Sequence, residues 1–205
     1  MYEITQITPQ IKDKRRCNIY LDGRFYCGLT MEAAIKYRLK VGVQVNPKTL
    51  SEIQLESEKN TALDKALTHI SASQKTEREI KEFLTKKGYL SAVIEYVLEK
   101  MRSYGFVDDR AYAAAYAENA VKRKGKKLIE LELKRKGING EAIDQATENL
   151  QGEEDTAKRI AEKYMRGKTP DRANLQKTFR YLLSKGFDYD TAKSALSALG
   201  DTEEE

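Results

Sequence analysis

The chain has 205 residues, 40% of them hydrophobic and 34% charged, with a formal net charge of +5. That is polar for a globular protein but apolar enough to build a core, so a disordered chain is excluded. Twelve glycines, three prolines and no tryptophan argue against a turn-rich all-β fold. No run of 18 apolar residues offers a membrane span, and MYEITQITPQ lacks the basic-then-apolar pattern of a secretory signal. A cytoplasmic protein with no membrane contact is expected. Two cysteines, Cys17 and Cys27, give neither a disulfide framework nor zinc-finger spacing, and the single histidine, His69, removes most histidine chemistry. No metal, no cofactor and no catalytic residue is therefore expected.

Tyr2, Ile4 and Ile7 mark an extended run that Pro9 ends. CNIYL and RFYCGL then flank Asp22-Gly23, a hairpin signal. The apolar set Cys17, Ile19, Leu21, Phe25, Cys27 and Leu29 is all odd-numbered. A two-residue loop would split that set between two faces, so the pattern predicts a three-residue loop with Gly23 left-handed and all six on one face. Both cysteines then sit in a small core, reduced. Thr30 can cap a helix from Met31 to Lys40 that Gly42 ends, and Asn46-Pro47 opens a longer helix.

Beyond this lies a repeat. LTKKGY, LKRKGI and LLSKGF place leucines at 84, 133 and 182 and glycines at 88, 137 and 186, each series stepping by 49. Each glycine fits the left-handed position that ends a helix, which predicts Leu84–Tyr89, Leu133–Ile138 and Leu182–Phe187 contacts. Each unit reads as three helices. The first runs near 61–71, Thr76–Lys87 and Ala92–Tyr104, with Thr76 and Glu79 as a capping box. The second runs Arg110–Lys124, Lys126–Lys136 and Glu141–Leu150, with Asp108 as its cap rather than half of a catalytic carboxylate pair. The third runs Thr156–Gly167, Pro170–Lys185 and Asp190–Leu199, with Thr169 as the cap before Pro170. Tyr112, Tyr116 and Tyr164 fall at core spacing.

Charge is uneven along the chain. Residues 122–136 hold eight basic residues and two acidic ones, while four of the last five residues are acidic. On charge alone a solvated helix face explains this as well as a polyanion partner does. Lys122, Arg123 and Lys124 end one helix, and Lys126 and Lys127 begin the next, where positive charge opposes the helix dipole. That placement favours a partner, and Lys122, Arg123, Lys124, Lys126, Lys127, Lys134 and Arg135 are the candidate partner- or DNA-binding residues.

GFVDDRAYAAAYAENAVKRKGKKLIELELKRKGI resembles the central signature of RecX, the bacterial regulator of the RecA recombinase. The likeness extends to KTEREIKEFLTKKGYL, FRYLLSKGFDYDTAKSAL and the N-terminal hairpin, and so covers nearly the whole chain. Lys75 departs from the arginine common in the family before the cap, keeping the charge. The resemblance implies a mainly α fold, a curved array of three tandem three-helix, helix-turn-helix-like repeats with a small N-terminal β-hairpin and helix. The divisions expected are an extension at 1–58, repeats at 59–106, 107–152 and 153–200, and an acidic tail at 201–205. It further implies a monomeric, non-enzymatic regulator that docks on the RecA–DNA filament and inhibits ATP hydrolysis and strand exchange. The alternative is a protein that binds single- or double-stranded DNA directly.

Overall fold

The structure is a computed structural model that describes residues 1–11 and 13–200, so the acidic tail lies outside the described residues. The chain forms two compact units, one of residues 1–73 with 80–104, the other of residues 74–79 with 105 onward.

The first unit opens with four antiparallel strands in the order β3-β2-β1-β4: β1 (Tyr2–Pro9), β2 (Arg16–Leu21), β3 (Arg24–Thr30) and β4 (Gln44–Val45). The β2–β3 loop has two residues, not three. Asp22 and Gly23 both take positive φ, 46° and 79°, and Leu21 pairs with Arg24. Primed turns of this kind suit the right-handed twist of a hairpin. Parity is restored further along, where the register shifts so that Tyr20 pairs Phe25 but Ile19 pairs Cys27. Tyr26 is the extra residue of a bulge. Cys17, Ile19, Leu21, Cys27 and Leu29 are buried as expected, while Phe25, on the turn side of the bulge, is 60% exposed and meets Tyr20 edge-on. Burial also pushes the Cys27 thiol up to about 11, with the Cys17 and Glu58 charges adding to it.

Helix α1 (Met31–Lys36) is shorter than the expected run to Lys40. Thr30 caps it by accepting the Ala33 N–H. It stops because Arg38 takes φ 52°, so that the Arg38 and Leu39 amides turn back to the Ile35 and Ala34 carbonyls. Helix α2 (Pro47–Ser71) begins on the Asn46 cap and runs unbroken past residue 58. Its Leu50 and Ile53 close the sheet's core, while Ala62 and Ala66 further along are also fully buried. Helices α3 (Glu77–Lys86) and α4 (Ser91–Ser103) complete the first three-helix repeat. They bury Ile80, Leu84, Val93, Val97 and Met101 completely.

The second repeat comprises α5 (Asp109–Ala120), α6 (Lys126–Arg135) and α7 (Gly140–Thr147). The third comprises α8 (Glu153–Met165), α9 (Arg172–Ser184) and α10 (Tyr189–Gly200). Asp108 caps α5 by accepting the Arg110 and Ala111 N–H groups. Several boundaries differ from expectation: α7 ends at Thr147 rather than Leu150, and α8 runs Glu153–Met165 rather than Thr156–Gly167. Helix α5 stops at Ala120, which puts Lys122, Arg123 and Lys124 in a turn instead of a helix end. Helix α9 is capped by Asp171, whose carboxylate accepts the Asn174 N–H, and not by Thr169. Tyr112, Tyr116 and Tyr164 are half-buried, and Tyr112 and Tyr116 pack against the core of the second repeat.

All three repeats close their middle helix with one device. Gly88, Gly137 and Gly186 have φ of 84°, 87° and 90°. In each copy the amide after the glycine donates to the leucine carbonyl: Tyr89 to Leu84, Ile138 to Leu133, Phe187 to Leu182. That is the Schellman geometry. The three leucines are fully buried, and Leu133 with Ile138, and Leu182 with Phe187, share core clusters.

Candidate functional site

The seven nominated basic residues do not act as one patch. Lys124 turns inward onto Glu132, with Nζ 2.6 Å from both carboxylate oxygens, and the Tyr116 hydroxyl donates to the same carboxylate. Burial pulls the Lys124 ammonium down, but Glu132 and Tyr116 outweigh it and hold it above the ordinary lysine value. Lys126 lies near Glu130, and its backbone N–H donates to the Glu153 carboxylate at 2.8 Å. The Lys127 N–H donates to the Gly186 carbonyl at 3.1 Å. The start of α6 therefore carries a carboxylate and a carbonyl. This corrects the expectation of an uncompensated positive helix end. Lys134 and Arg135 are exposed in the last turn of α6, about 13 Å along the helix from Lys126.

Lys122 and Arg123 do join a site, with partners that the sequence reading missed. A groove of about 530 Å³ is lined by Lys122, Arg123, Arg159, Lys163 and Lys185 around Ile160, Tyr164 and Tyr181. Among the described residues, five cations and no carboxylate line it. Arg159 and Lys163 sit one turn apart on α8, so both project to one side. Lys185 is the lysine of the third Lys-Gly motif, placed by the αL turn that follows α9. The Arg159 guanidinium donates to the Lys122 carbonyl, which fixes the α5–α6 turn against α8. At the floor the rings of Tyr164 and Tyr181 stack 4.5 Å apart, with Lys168 3.5 Å from the Tyr164 ring centre and Lys185 5.2 Å from that of Tyr181. The i,i+4 pair on α8 and the lysine recurring at each repeat turn were the sequence signals available. They were diluted because acidic residues neighbour them in the chain, none of which lines this groove among the described residues.

The groove is held open by the way α6 begins. Gly125 N–H donates to the Lys185 carbonyl at 3.0 Å. A Cβ on Gly125 would lie 2.3 Å from the Phe187 nitrogen and 2.4 Å from the Gly186 carbonyl oxygen, so only glycine allows the approach. Burial raises the Glu153 carboxyl, against the opposing hydrogen bond from the Lys126 amide.

Three tandem three-helix repeats, each closed by a Lys-Gly turn, behind a small N-terminal sheet define the class: a tandem helical-repeat protein. Comparison with known proteins gives the family. A profile described as the regulatory protein RecX N-terminal domain matches residues 2–46, and the first, second and third RecX three-helix domains match 62–101, 108–146 and 152–196. Regulatory protein RecX of Clostridium tetani is 32% identical over 96% of this chain and 94% of its own. That of Clostridium perfringens strain 13 is 31% identical over 99% of each. A crystal structure of regulatory protein RecX superposes with a TM-score of 0.68 at 30% identity, covering 94% of this chain and 98% of that one. RecX from Lactobacillus salivarius gives 0.64 at 25% identity, over 70% of this chain and 97% of its own. The chain belongs to the RecX family of regulatory proteins.

Proposed function

We propose that this chain regulates the RecA recombinase, without enzymatic activity of its own, by seating its basic groove on the RecA–DNA filament and so inhibiting ATP hydrolysis and strand exchange. Family membership supports the regulatory role. The observation that carries the site is the convergence of five cations, from the α5–α6 turn, α8 and the end of α9, on one groove that no carboxylate of the described residues lines. Such a surface attracts an anionic partner and sets association rate and salt dependence. The reading places the protein in the cytoplasm as a monomer.

The test is inhibition of RecA-driven ATP hydrolysis by two double variants with equal charge change. Arg159→Glu with Lys163→Glu should weaken inhibition by about tenfold or more, with helical content preserved. Lys126→Glu with Lys127→Glu should have the smaller effect, because Lys126 already lies near Glu130 and Glu153, and Lys127 near Asp188. Wild-type inhibition by the groove variant would refute this site. Direct DNA binding is the second reading, since a carboxylate-free groove also suits phosphodiesters. Affinity for naked DNA that survives moderate salt without RecA would favour it.

A further inference from the structure

The first unit carries a separate cleft, of about 920 Å³, between the β1–β2 turn, the start of α1, and helices α2 and α3. That is the upper end of the size range of small-molecule sites. Its aromatic element is a pair. The rings of His69 on α2 and Phe83 on α3 lie parallel, 4.0 Å apart and 4° from coplanar orientation, and both line the cleft. Each residue is half-buried, so the pair is a supported ledge rather than a loose surface contact.

Cations stand on two sides of that ledge. Lys65 comes from α2 and Lys87 directly follows α3, while Arg15 and Arg16 stand where the β1–β2 turn enters β2. The turn is pinned. Met31 N–H donates to the Arg15 carbonyl at 2.7 Å, Gln10 N–H to the Arg16 carbonyl at 2.9 Å, and Arg16 N–H to the Asp13 carbonyl at 2.9 Å. Among the described residues the Arg15 side chain is paired with Asp13, at 3.3 Å on an exposed surface, an ion pair that a phosphate can displace. Glu32 and Asp64 line the same cleft and supply acceptors.

From this arrangement we infer that the cleft of the first unit is a binding site for a nucleoside polyphosphate. The base continues the His69–Phe83 stack, the phosphates lie against the arginines of the β1–β2 turn, and a carboxylate accepts from a ribose hydroxyl or base amino group. A planar ring system and several negative charges in one molecule satisfy both halves of the cleft. An acidic peptide would use the cations and leave the aromatic ledge uncovered. The inference is independent of the groove in the second unit and of the regulatory reading.

The experiment is calorimetric titration of the full chain with ATP, AMP and inorganic tripolyphosphate, and with an oligothymidylate. ATP should bind saturably. AMP and tripolyphosphate, each keeping half of the contacts, should bind about tenfold or more weakly. His69→Ala should weaken ATP by about tenfold and leave tripolyphosphate unchanged, whereas Arg15→Glu with Arg16→Glu should abolish both. Phe83→Tyr, which keeps the ring and guards against a folding defect, should bind ATP like the wild type. Arg159→Glu with Lys163→Glu should also bind ATP normally, so a failure here is distinct from a failure of the groove. The inference is overturned by no saturable binding at millimolar ATP, by tripolyphosphate binding as tightly as ATP, or by the oligothymidylate displacing ATP at lower nucleotide-unit concentration.

Discussion

Two places in this molecule perform the same task with different chemistry. At each, the start of one repeat's middle helix meets the Lys-Gly turn of the next repeat. In the first, the Thr76 hydroxyl donates to the Lys136 carbonyl at 2.8 Å, Glu77 N–H donates to Asp109 at 3.0 Å, and Glu79 pairs with Lys136 Nζ at 2.7 Å. In the second, 49 residues on, the Gly125 N–H meets the Lys185 carbonyl and the Lys126 N–H meets Glu153. Asp109 and Glu153 are equivalent: each opens the next repeat's first helix and accepts an amide from the preceding repeat's middle helix. The difference lies in the first contact. One junction is closed by a side-chain hydroxyl and an ion pair, the other by backbone on backbone. Side-chain closures yield to charge and pH. A backbone closure yields only to bulk, and it is the one that carries the basic groove.

The largest expected effect comes from adding bulk at the second junction. Gly125→Ala has an unstrained φ, so its cost is purely steric, against backbone that cannot move aside; about 3 kcal/mol or more is expected in urea unfolding. Gly186→Ala combines positive φ with a Cβ 2.4 Å from the Leu128 nitrogen, and should cost at least as much. A Gly125→Ala midpoint equal to the wild type would end the claim that this junction is backbone-closed. At the first junction, Thr76→Ala removes half of a capping box and the bond to Lys136, and about 1–2 kcal/mol is expected.

The glycine turns sharpen the same contrast. The three atoms nearest a Cβ on Gly137 all belong to the Arg78 side chain, and Gly88→Ala meets nothing within 4 Å. With φ alike at all three, midpoints should fall in the order Gly88→Ala least, Gly137→Ala next and Gly186→Ala most, the first by about 1 kcal/mol. Equal losses would mean that only φ matters and the junctions contribute nothing.

The smallest effect is a pH dependence confined to one junction. Burial raises the Glu79 carboxyl, but the Lys136 ammonium and Thr76 amide outweigh it and the net direction is down. A carboxyl lowered in the folded state stabilises it above the ordinary glutamate range and loses that contribution as pH falls through the lowered value. Asp109 and Glu153 are raised, mainly by burial, so neutralising them by acid carries no such loss. Below about pH 4.5, amide exchange near Glu79 and Ile80 should speed up more than exchange near Lys127 and Ile129. Parallel acceleration at both places would contradict the contrast.

How much of this the sequence carries depends on the range of the interaction. The Lys-Gly turns were legible because left-handed termination is local, and Leu84, Leu133 and Leu182 declare themselves by period. Asp108 and the Thr76–Glu79 box were legible for the same reason. The bulge at Tyr26 was not, because parity alone cannot distinguish a three-residue loop from a two-residue loop with a later register shift. The Asp22-Gly23 pair, suited to two successive left-handed residues, was the better guide. Arg38 ended α1 early through a left-handed conformation that its residue type does not announce. The groove was half-legible. Lys122 and Arg123 stood out as a run, but Lys124 in the same run is spent on Glu132, while Arg159, Lys163 and Lys185 lie in stretches of mixed charge. Linear density counts charges by chain position, and a binding surface sums them in space.

The central functional claim is that the groove beside the second junction, not the start of α6, meets the partner. Equilibrium binding of the chain to preformed RecA filaments on single-stranded DNA, followed across a salt series, tests it directly. The account predicts that Arg159→Glu with Lys163→Glu loses about tenfold or more in affinity and flattens the salt dependence, while Lys126→Glu with Lys127→Glu changes both less. Wild-type affinity and salt slope in the groove variant, with loss in the α6 variant, would contradict it.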